Sequence, residues 1–178
     1  MKPPTKRKIH IADYSSDWPA LFDEEKKRIQ EAIGDVEIEH TGSTSIPGLG
    51  AKPVIDMMGI VHNIDDARQF VEKMETLGYK YTPKLETLIP DIKFFQTRPE
   101  AKTQYHISFT EKDSDFYARQ ILFRDYMRKH PEAIREYAKI KRELAKEHVD
   151  NFETYNAGKT AFILSIIEAA RKENAGLN

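Results

Sequence analysis

Two short stretches of this chain carry residue types that could do phosphate chemistry. The first is Gly42-Ser43-Thr44-Ser45, preceded by Glu39-His40-Thr41 and followed by Ile46-Pro47-Gly48. A turn dense in glycine and hydroxyls offers backbone N–H groups and side-chain oxygens to an anion such as a phosphate. The second is Lys52-Pro53-Val54-Ile55-Asp56-Met57, in which Asp56 is the only charge of the apolar run 54–61. Burying an unpaired carboxylate is costly, so Asp56 calls for a metal, a cation or several donors. A turn that holds phosphates, next to an aspartate that holds the divalent cation accompanying them, suggests phosphoryl or nucleotidyl chemistry. The plain alternative is an aspartate that caps the neighbouring turn.

Other side chains could join them. In the run 104–110, His106 and Ser108 share one strand face, opposite Tyr105, Ile107 and Phe109. If that polar face lies beside Asp56, His106 is a candidate metal ligand or proton carrier; a lone strand histidine is otherwise structural. Glu39 shares a face with Glu37 and could be a further metal ligand, although a solvated strand face explains both. Lys141 interrupts the apolar stripe Ile134, Tyr137, Leu144, Ala145, and Lys159 does the same among Tyr155, Phe162, Ile163, Ile166 and Ile167. One lysine on such a stripe snorkels to water. Two on adjacent helices could converge on an anion, with Arg124 and Lys52 as further cations; Arg124 could equally pair with an acidic neighbour.

The elements that must position these groups follow from periodicity. Ser15-Ser16-Asp17 and Pro19 open a helix carrying Trp18, Leu21, Phe22, Ile29 and Ile33 on one face, and Gly34 stops it. Residues 36–41 alternate as a strand, and 42–47 read as a turn with a short helix. Residues 54–61 read as a central strand buried on both faces. A short strand is expected at 9–11, and a helix capped by Asp65-Asp66 at 65–77, closed by Gly78. Residues 79–81, 88–96 and 104–110 read as further strands, and helices are expected over 114–129, 132–148 and 153–172. The sum is an α+β unit: a sheet of four to six strands with a C-terminal helical layer.

Composition bounds the function. The chain has 178 residues, enough for one domain with its own core. It has no cysteine, so thiolate metal sites and cysteine nucleophiles are excluded, and a cytoplasmic setting is expected. Its formal net charge is −1, from 28 basic and 29 acidic side chains. That balance argues against bulk nucleic-acid binding but not against a local phosphate site. No apolar run is long enough for a membrane span. Residues 1–8 are basic with no apolar segment after them, and read as a disordered arm and not a signal peptide. No Walker A loop, dinucleotide-binding glycine motif, H-E-x-x-H or G-x-S-x-G occurs.

With these residues in hand, the chain resembles the GrpB family, also called UPF0157. The resemblance runs from about Ile9 to Ala170. It rests on Tyr14-Ser15-Ser16-Asp17-Trp18-Pro19, on the long run from Glu39 to Leu49, and on Lys52-Pro53-Val54-Ile55-Asp56. Leu77-Gly78-Tyr79, Phe123-Arg124-Asp125-Tyr126, His130-Pro131 and Lys159 extend it. The family looks like a branch of the nucleotidyltransferases that share the DNA polymerase β catalytic fold. That likeness implies a mixed, mostly antiparallel sheet in a single domain, 9–174. It also implies a Gly-Ser that holds a triphosphate and two acidic residues, one apart on a strand, that hold Mg²⁺ or Mn²⁺. Gly42-Ser43 and Asp56 match; the second acidic position is Met58, and a thioether is a poor ligand for a hard cation. The third acidic position falls on the His106/Ser108 face, where many relatives look as though they carry His-x-His.

The resemblance therefore implies a nucleotidyltransferase-like protein that binds a nucleotide or another phosphorylated small molecule with a divalent metal. Asp56 and His106 would be its catalytic pair, Asp56, His106 and Glu39 its metal ligands. Gly42, Ser43, Thr44, Ser45, Lys52, Arg124, Lys141 and Lys159 would bind phosphate. The alternative it leaves is a degenerate module that binds a nucleotide or CoA-type ligand, or scaffolds a partner, without transfer; a metal-dependent phosphohydrolase is a third.

Overall fold

The computed structural model describes residues 9–176; the expected arm at 1–8 lies outside the described residues. The first helix, α1 (Trp18–Ile33), buries Trp18, Ile29 and Ile33 on one face. Ser15 Oγ accepts from the Asp17 N–H just before it, and Gly34 ends it at φ 105°, a conformation glycine adopts without steric cost. Glu25 of α1 is also buried, and its carboxylate is satisfied by the Tyr79 hydroxyl at 2.7 Å and by the Arg28 guanidinium.

Among the described residues five strands form one sheet: β1 (Glu37–Thr41), β2 (Val54–Val61), β3 (Tyr79–Tyr81), β4 (Lys93–Thr97) and β5 (Gln104–Glu111), in the order β1-β2-β5-β4-β3. Only β2 and β5 run parallel; the other three pairings are antiparallel, as the mixed, mostly antiparallel reading requires. One face of the sheet packs Ile38, Ile55, Met57, Phe95, Ile107 and Phe109 against α1 and the short helix α2 (Val71–Thr76), making the main core. Gly59 is needed there, because a Cβ would stand 2.5 Å from the Phe109 ring.

The opposite face is polar at its centre. The register pairs Thr41 with Asp56 and Asp56 with His106, and in the next rung Glu39 with Met58 and Met58 with Ser108. Directly paired residues point the same way, so these six side chains share one face. The C-terminal helices cover it: α3 (Asp115–Lys129), α4 (Pro131–Glu147) and α5 (Phe152–Gly176). Ser114 caps α3, its Oγ accepting from the Tyr117 N–H at 3.0 Å. Met127, Ala133, Tyr137 and Ile166 of these helices form a second core with Ile46 and Leu49, so the segment after Gly42 is welded to the helical layer.

Four expectations differ from the fold. Residues 9–11 form no strand; Ala12 makes an isolated bridge to Ala51 instead. The helix expected over 65–77 begins as a 3-10 helix, Ile64–Phe70, capped by Asn63 and not by the aspartates. The strand expected over 88–96 shrinks to Lys93–Thr97, because Pro83 opens a 3-10 turn and Pro90 cannot donate to a ladder. Finally, β2 is not buried on both faces: Val54, Asp56 and Ile60 are only half-buried, and Val54 and Asp56 line a cleft.

Candidate functional site: a two-lobed cleft between sheet and helical layer

The Gly42–Ser45 turn leads from β1 into the helical layer, with Ser43–Ser45 forming one 3-10 turn. Gly42 has φ 64°, and a Cβ on it would stand 2.4 Å from Asp56 Oδ2. Glycine is thus what lets the turn lie against the carboxylate. Two of its hydroxyls hold the turn itself: Ser45 Oγ donates to the Gly42 carbonyl at 2.7 Å, and Thr44 Oγ1 lies 3.0 Å from His40 Nε2. His40 stacks on Phe22, and burial pushes its pKa down to about 4, so it is a neutral strut. Arg128 donates twice to the Ser45 carbonyl, at 3.0 and 2.8 Å. Ser43 faces both lobes of the cleft, and Thr44 also lines the smaller one.

Asp56 stands at the waist of that cleft. Its side chain is 43% exposed, and Oδ1 lies 3.3 Å from His106 Nδ1, which Phe94 meets edge-on. The expectation of a buried aspartate is therefore corrected: Asp56 avoids the desolvation cost by opening onto the cleft. Met58 one rung on is fully buried, so the position of a second carboxylate is occupied by core.

Three lysines ring the smaller lobe, a cavity of about 270 Å³ whose walls include Ser43, Asp56, His106 and Asn156. Lys141 of α4 is 2% exposed and donates to Ser43 Oγ at 3.1 Å and to the Gly50 carbonyl, with the Tyr137 ring beneath it. Lys159 of α5 lies over Tyr155, which it shares with Lys52 at the entry to β2. Burial first, and then repulsion from Lys159 and Lys52, lowers Lys141 to about 7. Burial and Lys52 lower Lys159 to about 8, and burial lowers Lys52 as well. The fold spends stability to crowd like charges in a cavity, the arrangement expected of a site that an anion completes.

The larger lobe, about 650 Å³, shares Ser43, Asp56, His106 and Lys159 with the smaller one. Its further walls are largely apolar: Phe94, Phe116, Phe123, Tyr137 and Ile163, with Arg119 and Gln120 among them.

Two expected members are not brought in. Arg124 is buried away from the lysines: it donates to Glu39 at 2.6 Å, to Asp125 at 2.7 Å and to the His40 carbonyl at 3.1 Å, tying α3 to β1. Glu39 is thereby engaged as well. Among the described residues no three His, Asp or Glu side chains converge on one point. What remains for a hard cation is one carboxylate, which could hold a single ion only jointly with ligand phosphates and water, with the His106 imidazole beside it.

Several lining residues were not legible in the sequence. Tyr137 and Ile163 sit in apolar stripes and read as core. Phe94, Phe116 and Gln120 carry no spacing signal, and the Arg128 clamp on Ser45 bridges 83 positions.

Comparison with known proteins bears on family and fold. The family model described as "GrpB protein" matches residues 8–169. A curated relative, UPF0157 protein YqkA of Bacillus subtilis, is 40% identical over 175 residues, 97% of this chain and 50% of its own. The chain thus spans about half the length of that relative. The crystal structure of conserved protein GrpB from Enterococcus faecalis superposes with a TM-score of 0.84 at 30% identity, covering 93% of this chain and 99% of that one. A structure of the Cid1 poly(U) polymerase superposes with a TM-score of 0.57 at 15% identity over 83% of this chain and 49% of that chain, a likeness of fold alone.

Proposed function

This chain belongs to the GrpB family and has a nucleotidyltransferase-like fold, and on that footing we propose that it binds a nucleoside triphosphate and transfers the nucleotidyl group to an acceptor hydroxyl. The observation that carries this is the meeting of Lys52, Lys141, Lys159 and Ser43 in one lobe, with Asp56 and His106 at its edge. Three cations match the β- and γ-phosphates by charge. The α-phosphate then falls at the waist.

In the reaction, the acceptor oxygen bonds to the α-phosphorus, the bond to the pyrophosphate oxygen breaks, and the hydroxyl proton leaves. Pyrophosphate departs carrying charge that Lys141 and Lys159 offset. His106, oriented by Asp56 through Nδ1, presents Nε2 as a proton acceptor. Asp56 would hold one Mg²⁺ or Mn²⁺, which would supply charge neutralisation at the phosphates, while His106 keeps its Nε2 for the proton. A cytoplasmic setting suits a chain without cysteine.

The test is transfer of label from α-³²P NTPs in Mg²⁺, together with ATP binding. Asp56→Asn should remove Mg²⁺-dependent ATP binding and all transfer. Unchanged Mg²⁺-dependent binding in that variant would sink the metal role. ATP binding without transfer to any acceptor would instead mark a binding module, and phosphate release without labelled product a hydrolase.

A further inference from the structure

Resting on the nucleotidyl-transfer reading, we propose that the larger lobe admits the acceptor, and that the acceptor is a compact small molecule with a ring-bearing apolar body and a hydroxyl.

Geometry sets the side of approach. In an in-line displacement the attacking oxygen comes from opposite the leaving group. With pyrophosphate held by the lysines of the smaller lobe, that side is the larger lobe, which meets the smaller one at Ser43, Asp56, His106 and Lys159. The nucleoside shares the same space, so the room left for an acceptor is part of about 650 Å³. Pockets of this size hold drug-sized ligands.

The walls set the chemistry. Phe94 reaches in from β4, Phe116 and Phe123 from α3, and Tyr137 from α4, offering ring faces and edges that a planar or cyclic body can pack against. Leu88, 76% exposed, and Ile89 extend the apolar surface to the rim. A polynucleotide would need cations along its path. Here the lysines are gathered at the other end, and Arg119 is matched by Asp115 at 3.5 Å, with Asp91 in the same wall.

The experiment measures three probes on the intact protein: inorganic tripolyphosphate, 2-naphthol and a ten-residue oligo(A). Each is titrated against wild type, Phe116→Ala and Phe94→Leu, with thermal melts to verify folding. 2-Naphthol is expected to bind protein already saturated with tripolyphosphate, and equally protein saturated with α,β-methylene-ATP, whose nucleoside fills its own share of the lobe; displacement by the methylene analogue would give the aromatic walls to the nucleoside and overturns the assignment. Phe116→Ala should weaken it at least tenfold while tripolyphosphate stays within twofold, and oligo(A) should not compete with it. Displacement of 2-naphthol by tripolyphosphate overturns the assignment, as does 2-naphthol affinity unmoved in both variants. Oligo(A) binding that is lost in Phe116→Ala would mean a polynucleotide acceptor, and also overturns it. Failure of wild type to bind tripolyphosphate would overturn the underlying reading instead, whatever 2-naphthol does.

Discussion

Gly42 shows how one residue can decide a site. Its positive φ and the 2.4 Å that a Cβ would leave to Asp56 Oδ2 are two independent objections to any side chain there. Gly42→Ala is expected to cost about 1–3 kcal/mol of stability through backbone strain and displacement of Asp56. It should also weaken Mg²⁺-dependent ATP binding at least tenfold, whereas Mg²⁺-free tripolyphosphate binding, which needs only the lysines, should change less. Urea melts and calorimetric titration check both. Met58 makes the complementary point. Fully buried in the helix-facing side of the sheet, it leaves Asp56 as the one carboxylate of β2 that faces the cleft.

Between elements, the decisive contact is Arg124. It joins α3 to Glu39 and the His40 carbonyl on β1, and Arg128, one turn later on α3, grips the carbonyl of Ser45. Together they fix the helical layer over the polar face and hold the cleft at its width. Removing Arg124 strands Glu39 and a buried carbonyl, so Arg124→Ala should destabilise by about 2–4 kcal/mol. Because its guanidinium is turned away from the lysines, the folded fraction should keep tripolyphosphate affinity within about threefold. A tenfold loss, measured under conditions where the variant is folded, would place Arg124 back among the phosphate ligands.

For the molecule as a whole, the lysine cluster couples folding, pH and ligand. Lys141 is held near 7 in the folded protein, against an ordinary value of 10.5. Between those values the unfolded chain binds more protons, so the group makes stability rise with pH across that window and penalises the fold below it. For Lys141 alone the gain from pH 7 to 9 is on the order of 2 kcal/mol, with Lys159 adding to it from about pH 8. An anion reverses the sign, since it needs the protonated lysines. Tripolyphosphate affinity should fall at least tenfold from pH 6.5 to 9, and the rise in melting temperature it produces should shrink in step. Melts across pH with and without tripolyphosphate separate the two trends. Lys141→Met should flatten both, and apo stability that falls from pH 7 to 9 would contradict the linkage. Because one core lies on each side of the cleft, a ligand that bridges turn, sheet and helices should stabilise the molecule as one unit.

Much of this was legible in the chain alone. Alternation in 36–41 and 104–110 and the apolar run 54–61 specify strands whose faces follow from a period of two, so Asp56 and His106 could be assigned to faces before any fold was known. The stripes carrying Lys141 and Lys159 specify helices in the same way, and Gly42 to Pro47 specifies a turn. These are local matters, decided by neighbours a few residues away. The tertiary structure alone decided which faces meet. Parallel pairing of β2 with β5 set His106 beside Asp56, and the packing of α4 and α5 turned their lysines toward Ser43, 98 positions from Lys141. It also drew Arg124 into an ion pair with Glu39 and removed both from the site. A charged side chain on a helix can snorkel, pair or face a ligand with the same local sequence, and only the charges and desolvation supplied by distant segments choose among them.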